Sequence, residues 1–379
     1  MAVEKKTLKV HNKSDKPDNV VENEHKIMHE CAEMEKELPK FFNKYFLYLK
    51  GNVLPKTRRA YLYDVRFFCR YLVEETGITD AKTPAQITLK EFQKITADDV
   101  NYFFDYCRHY ETETEKNVYY FENNNKTISR KRSSLSVLFK ELNREGFLEK
   151  NITGDFTPIK VQKASEREIK ALQDDEVMVM LDAVSNGTNL SKHELFYWQK
   201  TKLRDKAILI LFLTYGLRLS ELQQLNVSSF NFSRGEFKIY RKRNKEALMP
   251  INKSVEKVLN EYIDSERAKD ENLLPEHQDA LFLSLQGKRM TERQIRELVK
   301  KYTSIALNTS RSGGYSPHKL RATAATSLIG RGNSIYDVAA LLDHEQVTTT
   351  QLYAAHQRDV KRNLVKNMEW ELEREEGEQ

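Results

Sequence analysis

The sequence predicts a mainly α-helical protein with a small antiparallel β-sheet, built as two domains. Three observations lead there. At 379 residues the chain exceeds what one hydrophobic core normally serves. Apolar residues make up 39% and charged residues 31%, the balance of folded cores carried on long helices with solvated faces. Apolar positions recur at helical spacing along most of the chain, and one short region reads instead as two strands around a turn.

Charge narrows the class of partner. The formal net charge is +6, and the last stretch, Glu371 to Gln379, holds five glutamates against one arginine, so the rest of the chain is more basic than the total. This favours a nucleic-acid surface over a plain basic protein. The three cysteines, Cys31, Cys69 and Cys107, are widely spaced among mostly apolar or aromatic neighbours, the pattern of reduced core thiols with no metal-type pairing. Neither an apolar leader nor a run of about 18 apolar residues occurs, so no export and no membrane span are expected, and the expected location is the cytoplasm.

In chain order, residues 1–25 are polar, contain Pro17, and read as a mobile tail, with a basic arm on DNA as the sharper alternative. Glu30 to Leu49 reads as one helix, carrying Leu38, Phe41, Phe42, Tyr45, Phe46 and Leu49. Pro55 breaks the chain, and Lys56 to Leu72 forms the next helix, with Tyr61, Val65, Phe68 and Leu72 inward and Lys56, Arg58 and Arg59 in its first turns. Thr96 caps a helix that is expected to run to Tyr110, with Asp98 and Asp99 at the positive end of its dipole. An asparagine-rich connection, 111–125, leads to a helix over Lys126 to Leu142. Its first half presents Arg130, Lys131 and Arg132 among hydroxyls, which suits phosphate contact; a solvated helix end is the plain alternative.

The first domain is therefore placed at 26–152, a linker at 153–170, and the second domain at 171–357, followed by 358–379. The second domain opens with a helix over Asp174 to Val184 and an insert over Ser185 to Lys202. Leu203 to Tyr215 is apolar almost all round and is expected to be its central helix. Strands over Phe237 to Tyr240 and Ala247 to Ile251 flank the basic turn Arg241-Lys242-Arg243. Helices resume at Ser254–Arg267, Thr291–Leu307, Pro317–Ile329, Ser334–Leu342 and Thr348–Tyr353.

Singly, the polar residues in this half are unremarkable: Arg218 could cap a helix end, His318 and His344 could be cap or core histidines, and Lys242 an ordinary turn lysine. As an ordered set they are specific. Gly216-Leu217-Arg218-Leu219-Ser220-Glu221-Leu222, then Lys242, then His318-Lys319-Leu320-Arg321, then His344 and Tyr353 resemble the catalytic signature of the tyrosine recombinases. The match is most similar to the Xer recombinases, in particular the single-recombinase XerS type, and spans roughly residues 35 to 360. The resemblance implies a helical DNA core-binding domain followed by a mixed α+β catalytic domain, clamped around duplex DNA.

The chemistry supplies its own reasons for these residue types. Cutting a phosphodiester needs a nucleophile, stabilisation of a phosphorane-like state, and a proton for the departing 5′ oxygen. Arg218 and Arg321 suit the non-bridging oxygens because a guanidinium stays charged and offers a planar fork of donors. A phenol with a pKa near 10 must lose its proton as it attacks, and His318, one turn before Arg321, could take it. The resemblance implies the same role for His318, Tyr353 as nucleophile, Lys242 as general acid, His344 as a hydrogen-bond donor to phosphate and Glu221 as a supporting residue. It implies a 3′-phosphotyrosine intermediate with no ATP, no cofactor and no metal.

It further implies double-stranded DNA with paired half-sites as partner, a homotetramer on two sites, a Holliday-junction intermediate, and 358–379 as a helix exchanged between subunits. Lys56, Arg58, Arg59, Arg130, Lys131, Arg132, Arg241 and Arg243 are expected on DNA. Chromosome dimer resolution is the favoured role, with integration or excision of a mobile element as the rival. A non-catalytic accessory protein should lack part of the six, and a type IB topoisomerase fits the length and first-domain pattern less well. The sequence departs from the family pattern at Arg241 and Arg243, where glycines are common, at Ala322, where histidine is common, and at Asp343, where glycine is common.

Overall fold

The computed structural model describes residues 16–162, 169–241, 245–343 and 350–351. The chain divides into two compact units, residues 1–163 and 164–379.

The first unit is helical. Its first helix, α1 (Asp18–Lys36), starts within the stretch expected to be a tail: Val20, Ile27, Cys31 and Met34 fall on one face and are buried, and Pro17 stands at the N-cap position. The single helix expected over Glu30–Leu49 is two. Pro39 cannot donate to the helical ladder, and the chain passes through a short 3₁₀ turn, Lys40–Phe42, into α2 (Asn43–Asn52). Next come α3 (Pro55–Glu74), which begins on its proline, α4 (Leu89–Phe92) and α5 (Ala97–Tyr106). Thr96 and Asp99 cap α5 reciprocally, Thr96 N donating to Asp99 at 2.8 Å and Asp99 N to Thr96 at 3.3 Å.

Helix α5 stops at Tyr106, short of the expected Tyr110, because the connection that follows is a hairpin. Strands β1 (His109–Glu113) and β2 (Val118–Glu122) pair antiparallel, with Tyr110 opposite Phe121. All of β2 is exposed, so no buried face marked it in the sequence. Helix α6 (Asn125–Arg144) follows, capped by Asn124. The core is aromatic: Phe92 stacks on Phe139 with centroids 5.4 Å apart, and Phe68 meets Phe103 edge-on at 5.0 Å. Phe156 is also in this core, which shortens the linker expected from residue 153.

Two basic residues expected on DNA lie inside this unit. Arg58 is 7% exposed and pairs with Glu35; Lys131 is also 7% exposed, sits 4.4 Å above the Phe67 ring and reaches Asp64 at 3.4 Å. Their spacing explains it: Arg58 precedes buried Leu62 by four residues, and Lys131 follows buried Ile128 by three, so each continues the inward stripe of its helix. Arg130 also pairs with Asp64, Arg59 with Glu30 at 2.6 Å, and Arg132 donates to the Phe156 carbonyl at 3.3 Å, while Lys56 is exposed.

The second unit carries α7 (Asp174–Asn186), α8 (Lys192–Tyr215) and α9 (Leu219–Gln223). Helix α8 absorbs much of the expected insert, starting at a capping box in which Ser191 and Glu194 bond each other's backbone. A three-stranded antiparallel sheet follows, β3 (Phe230–Asn231), β4 (Glu236–Tyr240) and β5 (Glu246–Pro250), in the order β3-β4-β5. Then come α10 (Lys253–Glu261), which continues into a π-helical turn over Tyr262–Arg267, α11 (Glu292–Ala306), α12 (Pro317–Gly330) and α13 (Ile335–Leu342). Of the helix expected over Thr348–Tyr353, Thr350 and Gln351 are described and helical. Helix α8 runs through the core with Ile208, Leu209, Leu211 and Phe212 buried. Among the described residues, no helix is long and apolar enough to cross a membrane, and no group of His, Cys, Asp and Glu side chains could hold a metal ion.

Asp64 is 1% exposed and collects Arg130, Lys131 and Ser134, so truncating it strands a buried ammonium. Asp64→Ala is expected to destabilise the full chain by about 3 kcal/mol or more in denaturant unfolding. A loss below about 1 kcal/mol would show that Lys131 finds water instead.

Candidate active site

The site is built where three segments of the second unit meet the C-terminal end of α13. A helix leaves its last carbonyls without intrahelical partners, and that end carries partial negative charge. Here those carbonyls are taken by guanidiniums. Arg241 Nη2 donates to Leu341 O at 2.8 Å, Arg321 Nη2 donates to Leu342 O, and Arg218 Nη2 donates to Asp343 O at 2.9 Å.

Each arginine is delivered by a distinct local device. Helix α8 ends at Gly216, which adopts φ +56° and donates its N–H to Phe212 O at 2.9 Å. That left-handed residue turns the chain so that Arg218, two residues on, starts α9. Glu221 then does two things at once: one carboxylate oxygen accepts from Arg218 N at 2.8 Å and caps α9, and the other accepts from Arg218 Nη1 at 2.7 Å. Glu221 is buried, so its charge is compensated mainly by this arginine. Arg321 projects from α12, is 4% exposed, and donates Nη1 to Gly216 O at 2.7 Å. Arg218 and Arg321 are therefore tied to neighbouring points of the same framework.

Arg241 corrects another sequence expectation. It is 8% exposed, because the strand alternation that buries Phe237 and Ile239 carries on to it past the end of β4. Its Nη2 also lies 3.4 Å from Met249 Sδ, and its Nε has no hydrogen-bond partner among the described residues. Its Nη2 holds the helix end, and its side chain is buried rather than set on an outer surface. The departure at Asp343 has a place as well: Asp343 takes φ +52° after the last turn of α13, a conformation an aspartate tolerates better than most residues.

His318 stands on the first turn of α12, exposed, one turn before Arg321. Lys242, Arg243, His344 and Tyr353 lie outside the described residues, as do residues 358–379, expected to be exchanged between subunits, and residues 1–15 of the expected tail. Three other tyrosines of this unit are poorly suited to attack a phosphate. Burial pushes the Tyr215 and Tyr262 phenols up to about 12, and burial with the adjoining Asp205 carboxylate pushes Tyr302 far above its ordinary range.

The phage integrase family matches this chain over residues 170–359. A tyrosine recombinase XerC of Natranaerobius thermophilus is 31% identical over 271 residues, covering 71% of this chain and 81% of that protein. The XerC of Oceanobacillus iheyensis is 27% identical over 314 residues, covering 83% of this chain and 90% of its own. Among solved structures, a lambda integrase dimer bound to a COC′ core site aligns with TM-score 0.57 at 15% identity, covering 88% of this chain and 98% of that one. XerH bound to a palindromic difH substrate aligns with TM-score 0.56 at 16% identity, covering 90% and 93%. These two share the fold.

A Cβ on Gly216 would overlap the Leu342 side chain, on top of the positive φ. Gly216→Ala is expected to destabilise the chain by about 1 kcal/mol or more in thermal melting and to depress DNA cleavage further, by displacing the helix end that Arg218 and Arg321 share. Unchanged melting together with unchanged cleavage would show that this close approach is dispensable.

Proposed function

The chain belongs to the phage integrase family, the tyrosine recombinases, and from that premise we propose that Tyr353 cuts DNA at a scissile phosphate held by Arg218 and Arg321. The protein is a DNA strand-exchange enzyme acting in site-specific recombination. The observation that carries the residue assignment is the convergence of Arg218 and Arg321, far apart in sequence, on consecutive carbonyls of one helix end.

In the proposed step the Tyr353 oxygen forms a bond to phosphorus as the bond to the 5′ oxygen breaks. The phenolic proton passes to His318, Lys242 gives a proton to the departing 5′ hydroxyl, and His344 donates a hydrogen bond to a phosphate oxygen. The guanidiniums hold the non-bridging oxygens, where charge builds in the transition state. The 3′-phosphotyrosine keeps the energy of the phosphodiester, so rejoining runs the step in reverse and needs neither ATP nor a metal. Buried Glu221 holds Arg218 in place through two hydrogen bonds.

The similarity to XerC proteins at about 30% identity supports chromosome dimer resolution over mobile-element integration. The reading extends to paired half-sites on duplex DNA, a homotetramer in the synapse, work on chromosomal DNA in the cytoplasm, and exchange of 358–379 between subunits. That segment carries Val360, Leu364, Met368 and Leu372 every four residues, an apolar stripe suited to a neighbour's surface.

A nicked suicide duplex carrying the native site is expected to trap a covalent adduct with the wild-type chain. Tyr353→Phe should abolish the adduct, and Arg218→Ala should slow its formation by about 10²- to 10³-fold. An adduct that survives Tyr353→Phe would remove the nucleophile assignment. Truncation after Gln357 should leave single-site DNA binding and eliminate its cooperativity; unchanged cooperativity would exclude exchange of the C-terminal segment.

A further inference from the structure

Two departures from the family pattern, Arg241 and Asp343, meet in space. Asp343 Oδ2 lies 3.5 Å from Arg218 Nη1 and 3.9 Å from Arg241 Nη1, and its Oδ1 lies 3.6 Å from Lys245 Nζ. One carboxylate is thus ringed by three cations from three segments: the start of α9, the residue after β4 and the residue before β5. The carboxylate is partly open to solvent, and Lys245 largely so. Asp343 holds this place in a left-handed conformation that a glycine would adopt without strain.

We propose that the Asp343 carboxylate is a built-in competitor for the DNA phosphate, occupying the anion position between Arg218, Arg241 and Lys245 until a phosphate displaces it. The inference rests on the reading of Arg218 as a phosphate-holding residue. A carboxylate and a phosphodiester each carry one negative charge, so the exchange leaves the charge among these cations unchanged. A phosphate gains net affinity only by what it adds, chiefly paired contacts from its non-bridging oxygens to the guanidinium forks. A phosphate presented in the wrong geometry gains little and leaves Asp343 in place. The consequence is weaker binding to arbitrary DNA than the cations alone would give, and hence sharper discrimination of the correct site. Arg241 belongs to the device: it is buried, fixed to Leu341 O, and its Nε has no described partner.

The test uses the full-length protein and a fluorescent duplex of random sequence, with affinity measured across a salt series. Asp343→Asn keeps the shape of the side chain and removes its charge. It is expected to bind about tenfold more tightly at low salt and to steepen the plot of log affinity against log salt by about 0.9, the increment of one further phosphate neutralised. In chloride buffer the free variant should melt below the wild type, and added inorganic phosphate should raise its melting point more than the wild type's. Should the Asn variant not stay folded, Asp343→Gly removes the charge and the backbone strain together and carries the same expectation for affinity and salt slope. Equal or weaker binding, with equal stabilisation of both proteins by phosphate, overturns the proposal.

Arg218→Gln separates this failure from failure of the reading beneath it. If Arg218→Gln flattens the salt slope while Asp343→Asn leaves it unchanged, Arg218 still holds phosphate and the competitor role falls. If Arg218→Gln alters neither affinity nor slope, the phosphate role of Arg218 falls, and the competitor role with it.

Discussion

The catalytic unit depends on one helix end. Three carbonyls at the close of α13 would be left without partners by the geometry of any α-helix, and each is met by an arginine from elsewhere in the chain. The arrangement works in both directions. The carbonyls fix three guanidiniums that would otherwise repel one another, and the guanidiniums stabilise a helix terminus through both hydrogen bonds and its dipole. Gly216 is what lets the pieces close up, since its missing side chain makes room for Leu342 and its carbonyl holds Arg321.

This explains why positions so far apart in sequence behave as one constellation. Arg218 and Arg321 are more than a hundred residues apart. Neither sits on a flexible stem waiting for substrate: one is held by buried Glu221 and the other is itself buried between Gly216 O and Leu342 O. In the proposed phosphate-holding role, donors already in place would cost little reorganisation as charge develops, which is the main advantage a folded site has over water.

Much of this was legible in the residues, and the misses have physical causes. Helices with strong apolar stripes and caps, such as α6 and α11, lie within a residue or two of where periodicity places them, as does the β4–β5 hairpin. The β1–β2 hairpin was not legible, because β2 is wholly exposed and strand periodicity is readable only where one face is buried. Pro39 shows the opposite failure: apolar spacing continues across it, while the backbone cannot. Charge proved the least readable property. Arg58, Lys131 and Arg241 look like a surface for DNA when read by residue type, and like core positions when read by phase along their own helix or strand. Phase is the better guide, because a buried cation whose partner lies elsewhere in the chain leaves no local trace of that partner.

The same contrast bears on how departures from a family pattern should be read. Taken separately, an arginine and an aspartate at positions where glycine is common suggest two local disturbances. In the fold their charges face each other at 3.9 Å beside Arg218, and the aspartate's own backbone carbonyl is one of the acceptors that hold the site together. A glycine at residue 343 would keep that carbonyl and lose the charge. What differs here from a glycine-bearing site is therefore electrostatic rather than architectural: the framework that positions the arginines is kept, and the number of anions already among them is raised by one.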